Sequence, residues 1–305
     1  MSIFAAVLSN ALKGHIALFV AQVIYALNYS IAKGLMPNYM GPLAMVFMRI
    51  LGAGLLFWIL SLFVKTQKVE KQDLKRIALI ALFGAGLNQI FFIYGLSLST
   101  PINSSIIMIS NPIIVMIFTL IILKERITFL KVSGLSFAIV GAVMILRYKG
   151  NFEVGSDTIV GDVMTLINSV SWATFVVMVK PIMGKYNTTT TMRWLFLFGS
   201  IYILPIGLYD TLHTDWSGFT KEAFWALTFV VVVTTFFAYY LNVYGIQELS
   251  TNTVSAYIYL QPFLASIFAV LMGDDKLTPT KLLSGALIIL GLYLVTKKPK
   301  KLVYD

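Results

Sequence analysis

Asparagine and glutamine side chains lie deep inside long apolar stretches of this sequence. Polar side chains at such positions are costly in a membrane and often mark a transport pathway. An uncharged amide can bind a carboxylate or an ammonium group without carrying a charge of its own into lipid. Interhelical hydrogen bonding, worth about 0.6 kcal/mol on average, is the alternative role for any one of them. The six amides are Asn28, Asn88, Gln89, Asn111, Asn242 and Gln261.

Aromatic side chains and one arginine complete the candidate substrate-binding set. Tyrosines crowd positions 239 to 259, and a wide cavity for aromatic or large cargo would use such rings. Interfacial belts and packing explain most membrane tyrosines, which is the alternative here. We add Trp172, Tyr239, Tyr259 and Arg49 to the six amides as predicted substrate-binding residues.

Four cations lie near the predicted mouths of the pathway. Lys33 and Arg49 fall near the outer mouth, and Lys180 and Arg193 fall near the inner mouth. Inner cations follow from membrane topology, whereas the outer pair opposes the usual positive-inside bias. We predict that the four form two basic vestibules that favour a carboxylate-bearing substrate. Snorkelling of these side chains to lipid headgroups is the alternative.

Two prolines occupy equivalent places in the two halves of the chain. Asn111 precedes Pro112, and Gln261 precedes Pro262. A proline inside a helix frees a backbone carbonyl about four residues earlier and permits a kink. We predict that Pro112 and Pro262 form a pair of gating hinges, with a fixed kink for packing as the alternative.

Several kinds of chemistry have no residues to support them. The chain contains no cysteine, and its two histidines are far apart in sequence, which excludes disulfides, thiolate metal sites and cysteine nucleophiles. No carboxylate lies in the middle of an apolar segment, although proton-coupled transporters commonly use buried acids. We predict no metal, no cofactor and no enzymatic activity, and facilitated export or exchange rather than proton coupling.

Ten apolar segments must position these residues. Of the 305 residues, 58% are hydrophobic and 12% are charged, and the mean hydropathy is +0.86. Soluble chains carry about 25% charged residues, so a bilayer is the simpler environment for this surface. Because about 20 apolar residues span a bilayer, we predict an all-α integral membrane protein with ten transmembrane helices. The segments are 15–35, 42–64, 76–97, 101–123, 128–147, 159–182, 190–212, 222–245, 251–273 and 280–297.

The distribution of lysine and arginine orients these segments. With a cytoplasmic N-terminus, fifteen of these cations fall on the inner side and six on the outer side. This bias predicts that both termini are cytoplasmic. The formal charge of +10 resides in short loops, so we predict no nucleic-acid partner. We expect a multi-pass protein of the cell membrane, in a bacterial inner membrane, with the lipid bilayer and a small-molecule substrate as partners.

The chain repeats itself with a period near 150 residues. We therefore divide it into residues 1–149 and residues 150–305, each with five helices. Five is odd, so the second copy enters the membrane from the opposite side, and inverted repeats of this kind place a central pathway between the halves and allow alternating access. A duplicated scaffold without a transport role is the alternative. Equivalent pairs include Tyr94-Gly95 with Tyr244-Gly245, Pro112 with Pro262, Lys33 with Lys180, and Arg49 with Arg193.

Two turns and two helices resemble the EamA-like branch of the drug/metabolite transporter superfamily. The helices that end at Lys33 and Lys180 resemble the first helix of each family repeat. Leu123 stands where the family usually has glycine, and Asp275 stands where it usually has glutamate. The turns similar to the family's "GERLT" turn are Leu123-Lys-Glu125-Arg-Ile-Thr128, followed by Gly134 and Gly141, and Gly273-Asp-Asp275-Lys-Leu-Thr278, followed by Gly285 and Gly291.

The resemblance implies ten helices and the export or exchange of small metabolites, often amino acids. We interpret the chain as a secondary transporter of carboxylate-bearing compounds that works by alternating access. A channel, a lipid flippase and a non-transporting scaffold are the alternatives, and a membrane-embedded enzyme would need reactive groups that are not visible at membrane depth. Gly134 and Gly141, one heptad apart, allow close helix contact within one chain or in a homodimer.

Overall fold

Helices account for nearly all of the residues that the structure describes. The structure is a computed structural model that describes residues 9–99, 101–149, 159–271 and 278–297, and no strand occurs among them. Three features of the sequence analysis lie outside the described residues. These are the segment 150–158 at the boundary between the halves, most of the second acidic turn at 273–277, and the two termini.

We number the helices of the described chain α1 to α12. Two of them contain π-helical turns, which lie at Leu82–Leu87 in α3 and at Phe229–Ala238 in α9, and a 3-10 turn at Tyr257–Tyr259 joins α10 to α11. The helices are α1 Asn10–Leu35, α2 Pro42–Phe63, α3 Lys71–Leu98, α4 Pro101–Met108, α5 Asn111–Ile122, α6 Phe129–Lys149, α7 Ile159–Met183, α8 Thr188–Leu212, α9 Lys221–Glu248, α10 Thr251–Ala256, α11 Leu260–Leu271 and α12 Pro279–Thr296.

Polar caps and proline fix several of the helix starts. Ser9, Asn187, Thr220 and Thr278 each accept a hydrogen bond on the side-chain oxygen from a backbone N–H in the first turn. Such caps satisfy donors that have no partner inside the helix. Pro42 lies in the first turn of α2, where a backbone N–H is not needed. Residue types that start a helix therefore separate one apolar segment from the next.

Seven helices of the described chain are long and apolar enough to cross a membrane, namely α1, α2, α3, α7, α8, α9 and α12. The apolar helices α5 and Phe129–Met144 of α6 are shorter. The predicted segments 101–123 and 251–273 are each interrupted, at residues 109–110 and at the 3-10 turn. The protein is an all-helical, multi-pass membrane protein, and the count of ten spans stays a prediction.

Close helix pairs join the two halves of the chain. The rings of Phe57 in α2 and Phe196 in α8 lie 5.0 Å apart. Where α6 meets α12, a side chain on Gly134 would lie 2.7 Å from the Gly291 carbonyl oxygen. Where α3 meets α7, a side chain on Gly95 would meet Thr165 Oγ1 at 2.8 Å. Glycine at such points lets membrane helices pack backbone to backbone.

Candidate functional site

A cavity lies between α1, α3, α7 and α9. It contains about 570 Å³ of empty space, counting its open mouth. Small-molecule sites are typically concave and apolar with a few convergent polar groups, and this cavity has that composition. The lining residues are Gln22, Tyr25, Asn28, Tyr29, Arg49, Asn88, Gln89, Phe92, Met108, Asn168, Trp172, Tyr239, Asn242, Ile258 and Gln261.

Eight of the ten predicted substrate-binding residues line this cavity. They come from six of the predicted apolar segments, so the fold brings together side chains that are far apart in sequence. Their role in binding stays a prediction, but their placement agrees with a shared site. The eight are Asn28, Arg49, Asn88, Gln89, Trp172, Tyr239, Asn242 and Gln261.

Hydrogen bonds to neighbours orient the cavity amides. The Asn168 Nδ2 atom donates to the backbone carbonyl of Asn88 at 2.8 Å. Since a carbonyl can only accept, this bond fixes the Asn168 amide with its oxygen free. Gln89 Nε2 donates to Asn88 Oδ1 at 3.2 Å, and Gln261 Nε2 donates to Gln22 Oε1 at 2.7 Å. The last pair joins α1 to the start of α11 across the two halves.

Several buried polar atoms of the cavity have no hydrogen-bond partner within the described chain. An unpaired buried polar group costs about 1–3 kcal/mol, so folded proteins contain few of them. Their concentration around one cavity points to a polar ligand or ordered water at this place. The atoms are Gln22 Nε2, Tyr25 OH, Asn28 Oδ1, Arg49 Nη1, Gln89 Oε1, Asn168 Oδ1 and Asn242 Oδ1.

Arg49 brings a positive charge to the cavity wall. Its residue is 3% exposed, which is deeper than the outer mouth where the sequence analysis placed it. Its Nε atom donates to Thr235 Oγ1 at 2.9 Å, and the Thr235 hydroxyl donates to the Val230 carbonyl at 2.7 Å. No ion pair between described residues includes Arg49. Because a guanidinium stays protonated in proteins, a bound anion could neutralise it.

Aromatic rings form an apolar part of the same wall. Trp172 and Tyr239 pack edge to face with ring centroids 5.5 Å apart, and Tyr29 and Phe92 do the same at 5.5 Å. The Tyr239 hydroxyl donates to the Gly84 carbonyl, which holds its ring in place. A ligand with one charged end and one ring would meet Arg49 with the amides on one side and these rings on the other.

Two π-helical turns lie next to the cavity residues. The π segment Leu82–Leu87 ends directly before Asn88 and Gln89, and the segment Phe229–Ala238 ends directly before Tyr239. Such turns are rare and often occur at functional sites, because they change the direction of the side chains that follow. The Thr235 hydroxyl that holds Arg49 belongs to the second segment. The irregular parts of α3 and α9 therefore aim polar groups inward.

The two predicted hinge prolines lie beside helix interruptions and not inside continuous helices. Pro112 lies in the first turn of α5, just after the break at 109–110, and Pro262 lies in the first turn of α11, just after the 3-10 turn. The sequence analysis predicted a proline inside a helix in each half, and the structure instead places both prolines in the first turn of a helix. Met108 and Ile258, four residues before the two prolines, both line the cavity. The interruptions thus reach the site itself.

Asn111 and Tyr259 are two predicted substrate-binding residues that the structure places outside the cavity lining. The Asn111 Nδ2 atom donates to the Ser169 carbonyl at 2.8 Å. The Tyr259 hydroxyl donates to the carbonyl of Ile109, at the other interruption, at 3.1 Å. Both side chains connect interrupted helices to their neighbours. Their role in substrate binding stays a prediction.

Lys33 and Lys180 each cap the C-terminal end of another helix. Each ammonium group donates to three backbone carbonyls at the C-terminal end of another helix, α3 and α9 respectively. A cation there satisfies free carbonyls and opposes the negative end of the helix dipole. The vestibule role stays a prediction for both residues. Lys33 Nζ donates to Leu96, Ser97 and Ser99 at 2.9, 2.8 and 2.9 Å, and Lys180 Nζ donates to Ile246, Gln247 and Leu249 at 2.6, 3.2 and 2.7 Å.

We expect Lys33→Met and Lys180→Met each to lower the unfolding midpoint of the purified protein by about 4–8 °C. Hydrogen bonds to a charged group contribute about 1.5–3 kcal/mol, and 1 kcal/mol corresponds to about 2–4 °C in a chain of this size class. Lys221→Met, at an exposed lysine, is the matched control. An unchanged midpoint combined with weaker substrate binding would instead favour the vestibule role.

Arg193, the third predicted vestibule residue, belongs to an interface between helices. Its guanidinium lies 5.3 Å from the centroid of the Trp58 ring and 5.7 Å from that of the Trp194 ring. Its Nη1 atom donates to Thr66 Oγ1 at 3.2 Å. These contacts join α2 to α8 through cation–π packing. Arg193 does not line the cavity, so it differs from Arg49, its partner in the repeat.

The sequence analysis did not include several lining residues in the site. Gln22, Tyr25 and Tyr29 lie at helical spacing on the face of α1 that carries Asn28. Phe92 lies one turn beyond Asn88 in α3. The residues three or four positions from each predicted amide lie on the same helix face, so including them in the predicted site would have found these residues. Met108 and Ile258 are apolar, and their residue types do not separate them from lipid-facing residues.

One known protein family matches this chain twice along its length. The profile of the EamA-like transporter family matches residues 12–147 and, a second time, residues 159–297. The chain belongs to the EamA-like transporter family. Membership makes it a transporter rather than an enzyme, which confirms the resemblance to that branch of the drug/metabolite transporter superfamily.

This EamA-like protein is similar in sequence to proteins of archaea, bacteria and plants. An "Uncharacterized transporter" of Archaeoglobus fulgidus is 27% identical over 94% of this chain and 98% of the relative, and YyaM of Bacillus subtilis, also an "Uncharacterized transporter", is 25% identical over 76% and 77%. The Arabidopsis thaliana "WAT1-related protein At3g18200" is 26% identical over 88% and 75%. A solved crystal structure superposes with a TM-score of 0.74 at 17% identity, covering 94% of this chain and 96% of that one, which shows a common fold.

Proposed function

We propose that this EamA-like protein is a secondary transporter that moves small carboxylate-bearing metabolites, amino acids among them, across a bacterial inner membrane. The observation that carries the proposal is Arg49, a buried guanidinium with a free Nη1 atom in the wall of the cavity. A carboxylate would pair with it, and the free amide oxygens of Asn28, Asn168 and Asn242 would accept hydrogen bonds from donors on the cargo.

Two inverted five-helix repeats, together ten spans with both termini in the cytoplasm, are part of the proposal. Contacts that repeat across the halves support it. Gly134 meets the Gly291 backbone, and the equivalent residues Ser284 and Gly141 meet each other in the same way, so the contact is reciprocal. The three carbonyls around Lys180 stand 150 residues after the three around Lys33. A pseudo-two-fold arrangement accounts for both observations.

Alternating access is supported by a difference between two equivalent tyrosines. Tyr186 donates to the Asp73 carboxylate at 2.9 Å, and Lys185 donates to the same carboxylate at 3.0 Å, which raises the pKa of Lys185. Tyr39 is the residue equivalent to Tyr186 in the other half of the chain, and its hydroxyl makes a longer contact of 3.5 Å with Thr220 Oγ1. One end of the molecule is thus tied more firmly than the other. Exchange of these two arrangements, with bending at the interruptions before Pro112 and Pro262, would move the opening of the cavity across the membrane.

We expect the protein to bind and transport compounds that carry a carboxylate and not those that lack one. L-phenyllactate and L-phenylalanine share a ring and a carboxylate, whereas 2-phenylethylamine keeps the ring and lacks the carboxylate. The two carboxylates should raise the unfolding midpoint and show saturable counterflow in proteoliposomes, and the amine should do neither. Stabilisation by the amine alone would contradict the proposal. Non-saturable flux would indicate a channel, and lipid scrambling would indicate a flippase.

A further inference from the structure

The net charge of the cavity depends on what occupies it. Arg49 is 3% exposed, and its Nη1 atom has no partner among the described residues. Tyr25 and Tyr239, which share the wall with it, are uncharged phenols near neutral pH. The described carboxylates that form ion pairs, Asp73 and Glu125, pair with other cations. The described wall therefore carries one uncompensated positive charge when it is empty, and a bound monoanion neutralises it.

The other cations of the central helices do not have this property. Lys33 and Lys180 are each surrounded by three backbone carbonyls at a helix C-terminus, where partial negative charge already compensates them. Arg193 packs on Trp58 and Trp194, outside the cavity. The electrostatic cost of closing the site thus falls on Arg49.

Alternating access includes a state in which the cavity is closed on both sides. Closing expels water, and an unpaired charge is strongly disfavoured in the low-dielectric space that results. With a carboxylate on the Arg49 guanidinium, the closed state contains an ion pair instead of a free charge. Without it, the carrier keeps its cavity open to one side, where the mouth of the cavity admits water and the effective dielectric constant around the guanidinium is higher. The anion is then a condition for crossing as well as the cargo.

We propose that this protein is an obligate exchanger of organic monoanions: a carboxylate must be bound in both directions of the cycle. The inference rests on the proposed function and adds the coupling of two fluxes and the net charge of the cargo. It favours L-phenyllactate over L-phenylalanine, because the zwitterion brings an ammonium group that no carboxylate of the described wall can receive. Exchange of one monoanion for another leaves the moving carrier neutral.

A flux experiment tests the coupling. Proteoliposomes are loaded with radiolabelled L-phenyllactate, and release is measured into a medium with or without unlabelled L-phenyllactate, after subtraction of leakage from protein-free liposomes. We expect release to be at least twentyfold faster with the external anion, and faster with external L-phenyllactate than with L-phenylalanine. Equal release into both media would overturn the exchange inference while leaving carboxylate transport intact.

A second experiment needs no ligand and uses the absence of native cysteine. Met108→Cys places one thiol on the cavity wall, and a membrane-impermeant methanethiosulfonate reagent is applied to right-side-out and to inside-out vesicles, with the denatured protein as the labelling control. We expect the empty carrier to be labelled from one side only. In the same background, Arg49→Gln removes the charge and should permit labelling from both sides, whereas Arg126→Gln, at an exposed arginine, should not.

The outcomes of the two experiments separate the inference from the proposed function. Labelling of the empty Met108→Cys protein from both sides, or from neither side, would overturn the exchange inference, because the empty carrier would then cross or close. If neither L-phenyllactate nor L-phenylalanine is carried, the proposed carboxylate cargo fails. One-sided labelling that becomes two-sided in Arg49→Gln would still support the charge-gated cycle for a different anion.

Discussion

Arg49→Gln is expected to weaken the binding of L-phenyllactate by about 100-fold. Removing one partner of a buried, hydrogen-bonded charge pair costs about 2–5 kcal/mol, and 1.4 kcal/mol corresponds to a tenfold change in affinity. Glutamine retains a hydrogen-bond donor but not the charge. Arg49→Lys should lose less, because it keeps the charge without the fork that binds both carboxylate oxygens. Isothermal titration with the protein in detergent measures all three affinities.

The same substitution should leave the fold intact, and this separates a binding role from a structural one. Arg49 holds Thr235 through one hydrogen bond, but its free Nη1 atom makes the buried charge a net cost in the empty protein. We therefore expect the ligand-free unfolding midpoint of Arg49→Gln to equal or exceed that of the unaltered protein. Arg126→Gln, at an exposed arginine, should change neither the affinity nor the midpoint. An Arg49→Gln protein that binds L-phenyllactate normally would remove Arg49 from the site.

Much of this site could be predicted from the sequence because membranes make buried polar groups expensive. Asn28, Gln89 and Asn242 interrupt stretches that are otherwise apolar, and all three line the cavity. The same signal does not place Asn111 in the cavity lining, since a polar side chain next to an interrupted helix can satisfy a backbone carbonyl equally well. Residue type shows that a group needs a partner, and only the fold shows which partner is in reach.

The roles of the cations could not be predicted because they depend on helix ends that are far away in sequence. Lys33 reaches carbonyls more than 60 residues later, where α3 ends. The repeat predicts that Lys33 and Lys180 have equivalent surroundings, and they do, but it does not say that those surroundings are helix termini. For Arg49 and Arg193 the repeat is misleading, because one lines the cavity and the other packs on Trp58.

The helix interruptions also lie beyond what hydropathy reveals. The segments 101–123 and 251–273 are predominantly apolar, so hydropathy predicts an unbroken helix in each. Pro112 and Pro262 indicate a disturbance, but a proline is compatible with a kink or with a new helix start. The structure has the second arrangement, with Met108 and Ile258 turned into the cavity at the interruption. Where a helix is interrupted, some backbone carbonyls lose their partners within the helix and need others inside the protein. The Tyr259 hydroxyl donates to one of them, the carbonyl of Ile109.

The contact between α6 and α12 leads to the second large expected effect. Gly134 and Gly291 pack with their backbones against each other, inside one chain. The sequence analysis allowed Gly134 and Gly141 to act within a chain or between chains, and this contact occupies them within the chain. A side chain on Gly291 would lie 2.5 Å from the Gly134 carbonyl oxygen and 2.7 Å from the Ala138 amide nitrogen. Backbone atoms on a neighbouring helix can give way only if the whole helix moves.

Gly291→Ala is therefore expected to lower the unfolding midpoint by about 5–10 °C. Overpacking costs about 1–3 kcal/mol, and the unyielding backbone places this site at the upper end, even though alanine favours the helix by about 1 kcal/mol over glycine. Gly34→Ala is the matched control, because a side chain there would meet nothing within 4 Å. The control should keep or raise the midpoint, since only the gain in helix propensity acts. If the two substitutions had the same effect, α6 and α12 would not be held by backbone contact. A lower midpoint for Gly291→Ala alone would show that the contact between α6 and α12 stabilises the association of the two halves.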